Sequence, residues 1–87
     1  MANSKLTVEV VSPERRIWSG EATLVSARTL DGDLGILADH ISLLGVLVPG
    51  VVSIKSADGT VVEFDMAGGF LSVNKNQVAI LGQEAVK

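Results

Sequence analysis

Hydrophobic and polar residues alternate along much of the chain with a period of two, the pattern of β-strands that bury one face. Residues 60–66 show it most clearly, because three apolar side chains alternate there with Glu63 and Asp65. β-branched residues are concentrated in short runs separated by turn residues, and no segment shows a sustained helical period with caps. The pattern predicts strands at 6–11, 16–18, 21–29, 43–48, 51–56, 60–66, 70–73 and 78–81.

These strands predict an all-β chain that forms a single domain over residues 1–87. Seven to ten short strands with one apolar face each are typical of a sandwich of two antiparallel sheets or of a flattened barrel. Asp58-Gly59 predicts a hairpin between two strands, and Gly68-Gly69 predicts a bulge or a tight strand entry. Trp18 is interpreted as a packing residue at a sheet edge, with an interface anchor as the alternative.

Two segments depart from the simple alternation. Residues 33–42 fit neither period and carry the only histidine, so we predict an ordered loop with a short strand inside. Residues 43–48 are apolar on both faces, although a sandwich strand needs only its inner face to be apolar. Either a crossing loop covers the second face, or this face is a protein-binding patch.

Charge and composition exclude several classes of protein. Seven basic and ten acidic residues give a net charge of -3, and the basic residues are scattered, so a nucleic-acid interface is not expected. The chain has no cysteine, which removes disulfides and thiolate metal sites and suits the cytoplasm. No apolar run reaches the roughly 18–20 residues of a membrane span. The polar start of the chain does not predict a secretory signal.

The acidic residues near the histidine are the one cluster with possible chemistry. Asp31 and Asp33 resemble the start of a calcium loop, but the remaining ligand spacing is missing. Asp39 and His40 lack the further nitrogen or sulfur ligands of catalytic zinc, and no catalytic triad is recognisable. We therefore expect a solvated polar loop with no metal, cofactor or catalytic residue. A metal-dependent hydrolase built on Asp31, Asp33 and His40 remains a weaker alternative, as does a free-standing small β-barrel that binds a ligand, which the three aromatic residues disfavour.

Five blocks of sequence, in order and in register, resemble the epsilon-subunit family of the F-type ATP synthases. Together they cover the chain from about residue 5 to residue 85, which makes the resemblance far more specific than any single motif. The blocks are Leu6 to Glu14, Trp18 to Ala22, Asp31 to Leu37 with His40, Leu43-Leu44 with Pro49-Gly50, and Gly68 to Val73.

The resemblance implies a non-catalytic rotor subunit of a proton-translocating ATP synthase. Members of the family have an N-terminal β-sandwich of about ten strands, commonly followed by two helices. This sequence stops at Lys87, where the helices would begin, so we expect either a truncated or a naturally short member. Inhibition of hydrolysis and ATP binding reside in those helices in the family and are not expected here. The implied location is peripheral, on the cytoplasmic face of the bacterial plasma membrane.

The resemblance also implies two partners, the ring of c subunits and the gamma subunit, both bound without membrane insertion. The loop that faces the ring would comprise Asp31, Asp33, Gly35, Ile36, Leu37, Ala38, Asp39 and His40. The residues that face gamma would be Ser12, Leu44 and Gly45. Ala38 and Ile41-Ser42 replace frequent prolines of the family, which predicts a less rigid loop.

Overall fold

A computed structural model describes residues 5–39 and 42–85, and these residues form eight β-strands. His40 and Ile41, to which two of the sequence predictions refer, lie outside the described residues. The strands are β1 Leu6–Val11, β2 Arg16–Ala22, β3 Leu24–Thr29, β4 Gly32–Leu37, β5 Leu43–Leu47, β6 Gly50–Lys55, β7 Val61–Asn74 and β8 Gln77–Glu84. Within the described residues no helix is long and apolar enough to cross a membrane.

One continuous sheet folds over into two layers, which share β7 and are also joined where Thr29 of β3 pairs with Leu47 of β5. Layer I has the strand order β5-β7-β8-β1-β2, and layer II has the order β4-β3-β6-β7. The first part of β7 pairs with β6 from Val61 to Met66, and its last part pairs with β5 from Gly69 to Val73. The predicted all-β sandwich is confirmed, and the flattened barrel is not the form adopted.

The core lies between the two layers, where alternate residues of each strand point inward. In layer I these include Val8 and Val10 of β1 and Ile80 of β8, all fully buried. Layer II contributes Ile36 and Ile54, which are equally buried. Every fully buried side chain is apolar, so the strand periodicity follows directly from burial of one face.

Trp18 packs against this core from the edge strand β2, as predicted. Its ring lies over Gly20, where a Cβ would come within 2.9 Å of the indole, and its centroid is 6.4 Å from that of Phe64. The half-buried indole therefore covers the end of the core between the layers.

Four features differ from the sequence prediction. Residues 33–42 are not mainly a loop, because Gly32–Leu37 forms β4 in a hairpin with β3. The predicted strand 21–29 is interrupted at Thr23, whose N–H donates to the carbonyl of Lys55. A bulge lies between Met66 and Gly68, directly before the predicted site at Gly68-Gly69, but the strand does not end there and β7 runs on for 14 residues. Finally, β1 pairs with β8 in parallel, whereas an antiparallel arrangement was predicted throughout.

Candidate interaction surfaces

The outer surface of layer I carries a contiguous row of apolar side chains, of which Val11 is half-buried and the others are exposed. Val46 of β5 pairs with Phe70 of β7, Phe70 pairs with Leu81 of β8, and Leu81 pairs with Val11 of β1. Leu44 lies two residues from Val46 on the same face. We call these five residues the apolar face.

The apolar face is open to solvent. Leu44 is 74% exposed, Phe70 51% and Leu81 46%, so no loop among residues 5–39 and 42–85 covers the second apolar side of residues 43–48. Soluble monomers rarely expose contiguous apolar rows of this kind unless they bind a partner. The protein-binding alternative is therefore favoured for this strand.

A groove of about 390 Å³ extends the apolar face past the end of β1. Phe70 and Leu81 form one wall, and the turn that carries Ser12 and Pro13 forms the other. The Ser12 hydroxyl accepts from the N–H of Arg15 and donates to its carbonyl, which fixes the turn. The Arg15 guanidinium in turn contacts the Glu84 carboxylate at 2.8 Å and ties this wall to the end of β8.

Of the three residues predicted to face gamma, the structure places only two at the apolar face or its groove. Ser12 and Leu44 are both at the apolar face or its groove. Gly45 points to the opposite side of β5, where a Cβ would lie 3.5 Å from Cγ2 of Thr29 inside the protein. A side chain placed at Gly45 would therefore enter the core, and only its backbone is available to a partner.

The residues predicted to face the ring follow β4, the outermost strand of layer II. Six extended residues span about 20 Å, so β4 holds Asp31 and Asp39 at opposite ends. Asp33 and Leu37 point outward, while the side chain of Ile36 is fully buried and unavailable to a partner. The predicted loop is thus an exposed edge with a turn at each end, formed by Asp31, Asp33, Gly35, Leu37, Ala38 and Asp39.

Each end of this edge is held by a different contact. At one end Asp33 pairs across the hairpin with Arg28, with 3.0 Å between Oδ1 and Nε. Both side chains are well exposed, so this ion pair contributes little to stability. At the other end Asp39 adopts a positive φ of 66° and is hydrogen-bonded to Asn76 in the β7–β8 turn.

Sequence reasoning missed several members of these surfaces. Phe70 precedes Leu71, and Leu81 follows Ile80. Adjacent apolar residues are also the signal that singled out residues 43–48, but the signal is weaker here because these apolar runs are shorter. Asn76 was also missed, since no sequence pattern links it to Asp39.

No group of three or more His, Cys, Asp or Glu side chains placed to hold a metal ion is found within 5–39 and 42–85. A second groove, with a volume of about 580 Å³, lies open on layer II. Its lining includes Ser26, Arg28 and Asp33 but no aromatic residue. This lining does not favour a ligand-binding cleft.

Comparison with known proteins agrees with this architecture. Residues 5–87 match the family described as ATP synthase, Delta/Epsilon chain, beta-sandwich domain. The chain is 49% identical over 84 residues to the ATP synthase epsilon chain of Corynebacterium efficiens, covering 95% of this chain and 68% of that one. It is 46% identical over 82 residues to the ATP synthase epsilon chain of Streptomyces avermitilis, covering 94% and 66%.

Two solved structures have the same fold. A chain of the Euglena gracilis mitochondrial ATP synthase, in a structure of the OSCP/F1/c-ring, superposes with a TM-score of 0.89 at 26% identity, covering 97% of this chain and 54% of that chain. A chain from the central stalk and c-ring structure of the Tetrahymena thermophila enzyme superposes with a TM-score of 0.75 at 21% identity, covering 97% and 67%, and supports the fold alone. The family match and the 49% identity establish that this chain belongs to the delta/epsilon family of ATP synthase subunits and that residues 5–87 are its β-sandwich domain.

Proposed function

We propose that this chain is a non-catalytic rotor subunit of an ATP synthase, which couples rotation of the c ring to the gamma subunit. The epsilon-chain relatives and the fold shared with a chain of an F1/c-ring structure support this proposal. They support neither a free-standing ligand-binding barrel nor a metal-dependent hydrolase. The observation that carries the proposal is the apolar face, a protein-binding surface on a chain of the ATP synthase family.

The apolar face is the proposed site for gamma. Its exposed side chains are aliphatic or aromatic, and burial of such groups is the main source of free energy in protein association. Ser12 borders the groove beside Phe70, and Leu44 lies at the other end of the same face. Both predicted contacts can therefore be reached by one partner.

The exposed edge along β4 is the proposed side for the c ring. It presents Asp33 and Asp39 at its two ends, with Gly35 and Leu37 between. Exposed charges of this kind contribute more to specificity and orientation than to affinity. The ring contact would therefore set the orientation of the subunit on the ring, while the contact with gamma supplies most of the binding free energy.

The proposed location follows from these partners. A subunit bound to gamma and to the ring would sit peripherally at the membrane, on the cytoplasmic face in a bacterium. Membership of the complex would hold it there.

Size-exclusion chromatography with the purified gamma subunit tests the proposal. Co-elution as a stoichiometric complex is expected, because the apolar face is open in the free chain. Separate elution at micromolar concentrations of both proteins would contradict the proposed function.

A further inference from the structure

We infer that Asn76 is a positioning residue that fixes the Asp39 turn for contact with the c ring. The inference rests on the proposed function and adds a residue, distant in sequence, that would determine how well the chain binds the ring. Asn76 is 37 residues from Asp39 in sequence and belongs to the β7–β8 turn, which none of the predicted contacts includes.

The side-chain amide of Asn76 contacts Asp39 twice. Its Oδ1 accepts from the backbone N–H of Asp39 at 2.6 Å, and its Nδ2 donates to the carboxylate Oδ1 of Asp39 at 3.2 Å. A reciprocal pair of this kind fixes both the backbone and the side chain of Asp39. One of the two contacts is to an ionised group, and such hydrogen bonds are stronger than neutral ones.

Asp39 needs this support because its backbone is in the left-handed region. A φ of 66° disfavours an L residue other than glycine by about 1 kcal/mol or more, although Asp and Asn tolerate it better than most. The hydrogen bond to the Asp39 N–H stabilises this conformation directly. Without it, the turn would populate other conformations in which the carboxylate points elsewhere.

The amide is itself held in a fixed position. Lys75 and Asn76 have φ values of 51° and 64°, the sign required by the two-residue type I′ turn that fits the twist of a hairpin. The carbonyl of Asn76 also accepts from the N–H of Thr7 at 2.8 Å, which ties the turn to β1. Asn76 therefore presents its amide from a turn that joins two adjacent strands of layer I and is hydrogen-bonded to a third.

The same hairpin also contacts Ser42, the residue directly before β5. The hydroxyl of Ser42 donates to the Oδ1 of Asn74 at 3.3 Å. Asn74 and Asn76 thus contact the two described residues that flank positions 40–41. The β7–β8 hairpin therefore fixes Asp39 and Ser42 through one asparagine each.

The key variant is Asn76→Gly, because glycine adopts the same positive φ at no steric cost and removes only the amide. Lys75→Gly is the matched control, since it changes the other positive-φ residue of the turn and leaves the amide in place. Asn76→Asp keeps the acceptor for the Asp39 N–H but places two carboxylates together. The exchange Asp39→Asn with Asn76→Asp restores a donor opposite an acceptor, so slow exchange of the backbone amide at position 39 is expected to return, although the carboxylate proposed to face the ring is lost.

Two measurements are made on each variant. Hydrogen exchange of the Asp39 amide is followed by NMR in the free chain, and affinity is measured for gamma alone and for a subcomplex of gamma with the c ring. For Asn76→Gly we expect exchange of the Asp39 amide to accelerate at least about tenfold. We expect affinity for the subcomplex to fall roughly fivefold to tenfold, with affinity for gamma alone unchanged.

The outcomes separate this inference from the proposed function. If the wild-type chain binds the subcomplex and Asn76→Gly binds it equally well, the positioning role is wrong and the rotor function stands. An unchanged exchange rate at Asp39, or a loss of gamma affinity equal to the loss for the subcomplex, would also overturn the positioning role. If the wild-type chain binds neither gamma nor the subcomplex, the proposed function fails and the inference fails with it.

Discussion

Gly69 of β7 and Gly82 of β8 lie opposite each other at a point where neither position has room for a side chain. A Cβ on Gly82 would overlap the carbonyl oxygen of Gly68 and lie 3.1 Å from the Cα of Gly69. A Cβ on Gly69 would overlap the carbonyl oxygen of Leu81. This close approach lets β8 follow β7 through its bulge, where the sheet passes from one layer to the other.

Gly82→Ala is therefore expected to destabilise the fold by more than about 2 kcal/mol, since the clash is with backbone and not with a flexible side chain. Urea unfolding measures the effect. Gly35→Ala is the matched control, because a Cβ there would lie 3.8 Å from Cδ1 of Leu24, an ordinary contact. Equal stability of the two variants would contradict the close approach of β7 and β8.

Leu44→Asp is expected to weaken gamma binding at least tenfold while the chain remains folded, because Leu44 is 74% exposed and its loss opens no cavity. Val61→Asp provides the control: Val61 is also an exposed strand residue, at 51%, but it belongs to layer II. Isothermal titration with gamma measures both affinities, and circular dichroism checks the fold. Equal losses for the two variants would show that added charge, and not the apolar face, is responsible.

Cysteines at Asp33 and Leu37 are expected to form disulfides with cysteines in the polar loop of the c subunit, because both side chains point outward from β4. The chain has no cysteine of its own, so no background reaction of this subunit interferes. Glu21→Cys, at an exposed site on β2 at the far edge of layer I, is the control. Crosslinks from Glu21 alone would place the wrong side of the molecule against the ring.

Asp58 is expected to show a small acid-dependent contribution to stability. The backbone N–H of Thr60 donates to its carboxylate at 2.9 Å, and this bond, followed by one from the Thr60 side chain, lowers the pKa of Asp58 below its ordinary value of 3.8. A carboxyl whose pKa is lowered on folding stabilises the native state above the unfolded pKa. The contribution is therefore complete above pH 3.8 and is lost as the pH falls through the lower pKa of the folded state.

NMR titration of the Asp58 carboxyl carbon measures this pKa directly. The stability difference between the wild type and Asp58→Ala should shrink as the pH falls below 3.8. A midpoint at or above 3.8 in the folded chain would show that Thr60 does not stabilise the carboxylate.

Strands with clean alternation were predictable from sequence because one face must be buried. Residues 60–66 and the hairpin at Asp58-Gly59 are examples. By contrast, β4 was predicted only as a short strand inside a loop, because Gly32 and Gly35 weaken the strand signal, although Leu34 and Ile36 alternate as a strand requires. Local pattern also carries no information about which strands pair, so the parallel β1–β8 contact was not predictable.

The candidate surfaces were predictable to different degrees. The apolar character of residues 43–48 indicated a possible protein-binding strand, and the resemblance supplied Leu44, Ser12 and the residues of β4. The inward direction of Gly45 and the burial of Ile36 became known only with the register of their strands. The contact between Asp39 and Asn76 depends on the packing of two turns that are remote in sequence.

The parallel pairing of β1 with β8 governs how the polypeptide acquires its shape during synthesis. Thr7 aligns with Gln77 and Val11 with Leu81, so β1 is synthesised well before β8, the strand that provides its second neighbour. Contacts of such long range slow folding, and a nascent chain with an unpaired strand is prone to associate with other chains. Layer I can therefore be completed only after Leu81 has been translated. Until then β1 can pair only with β2.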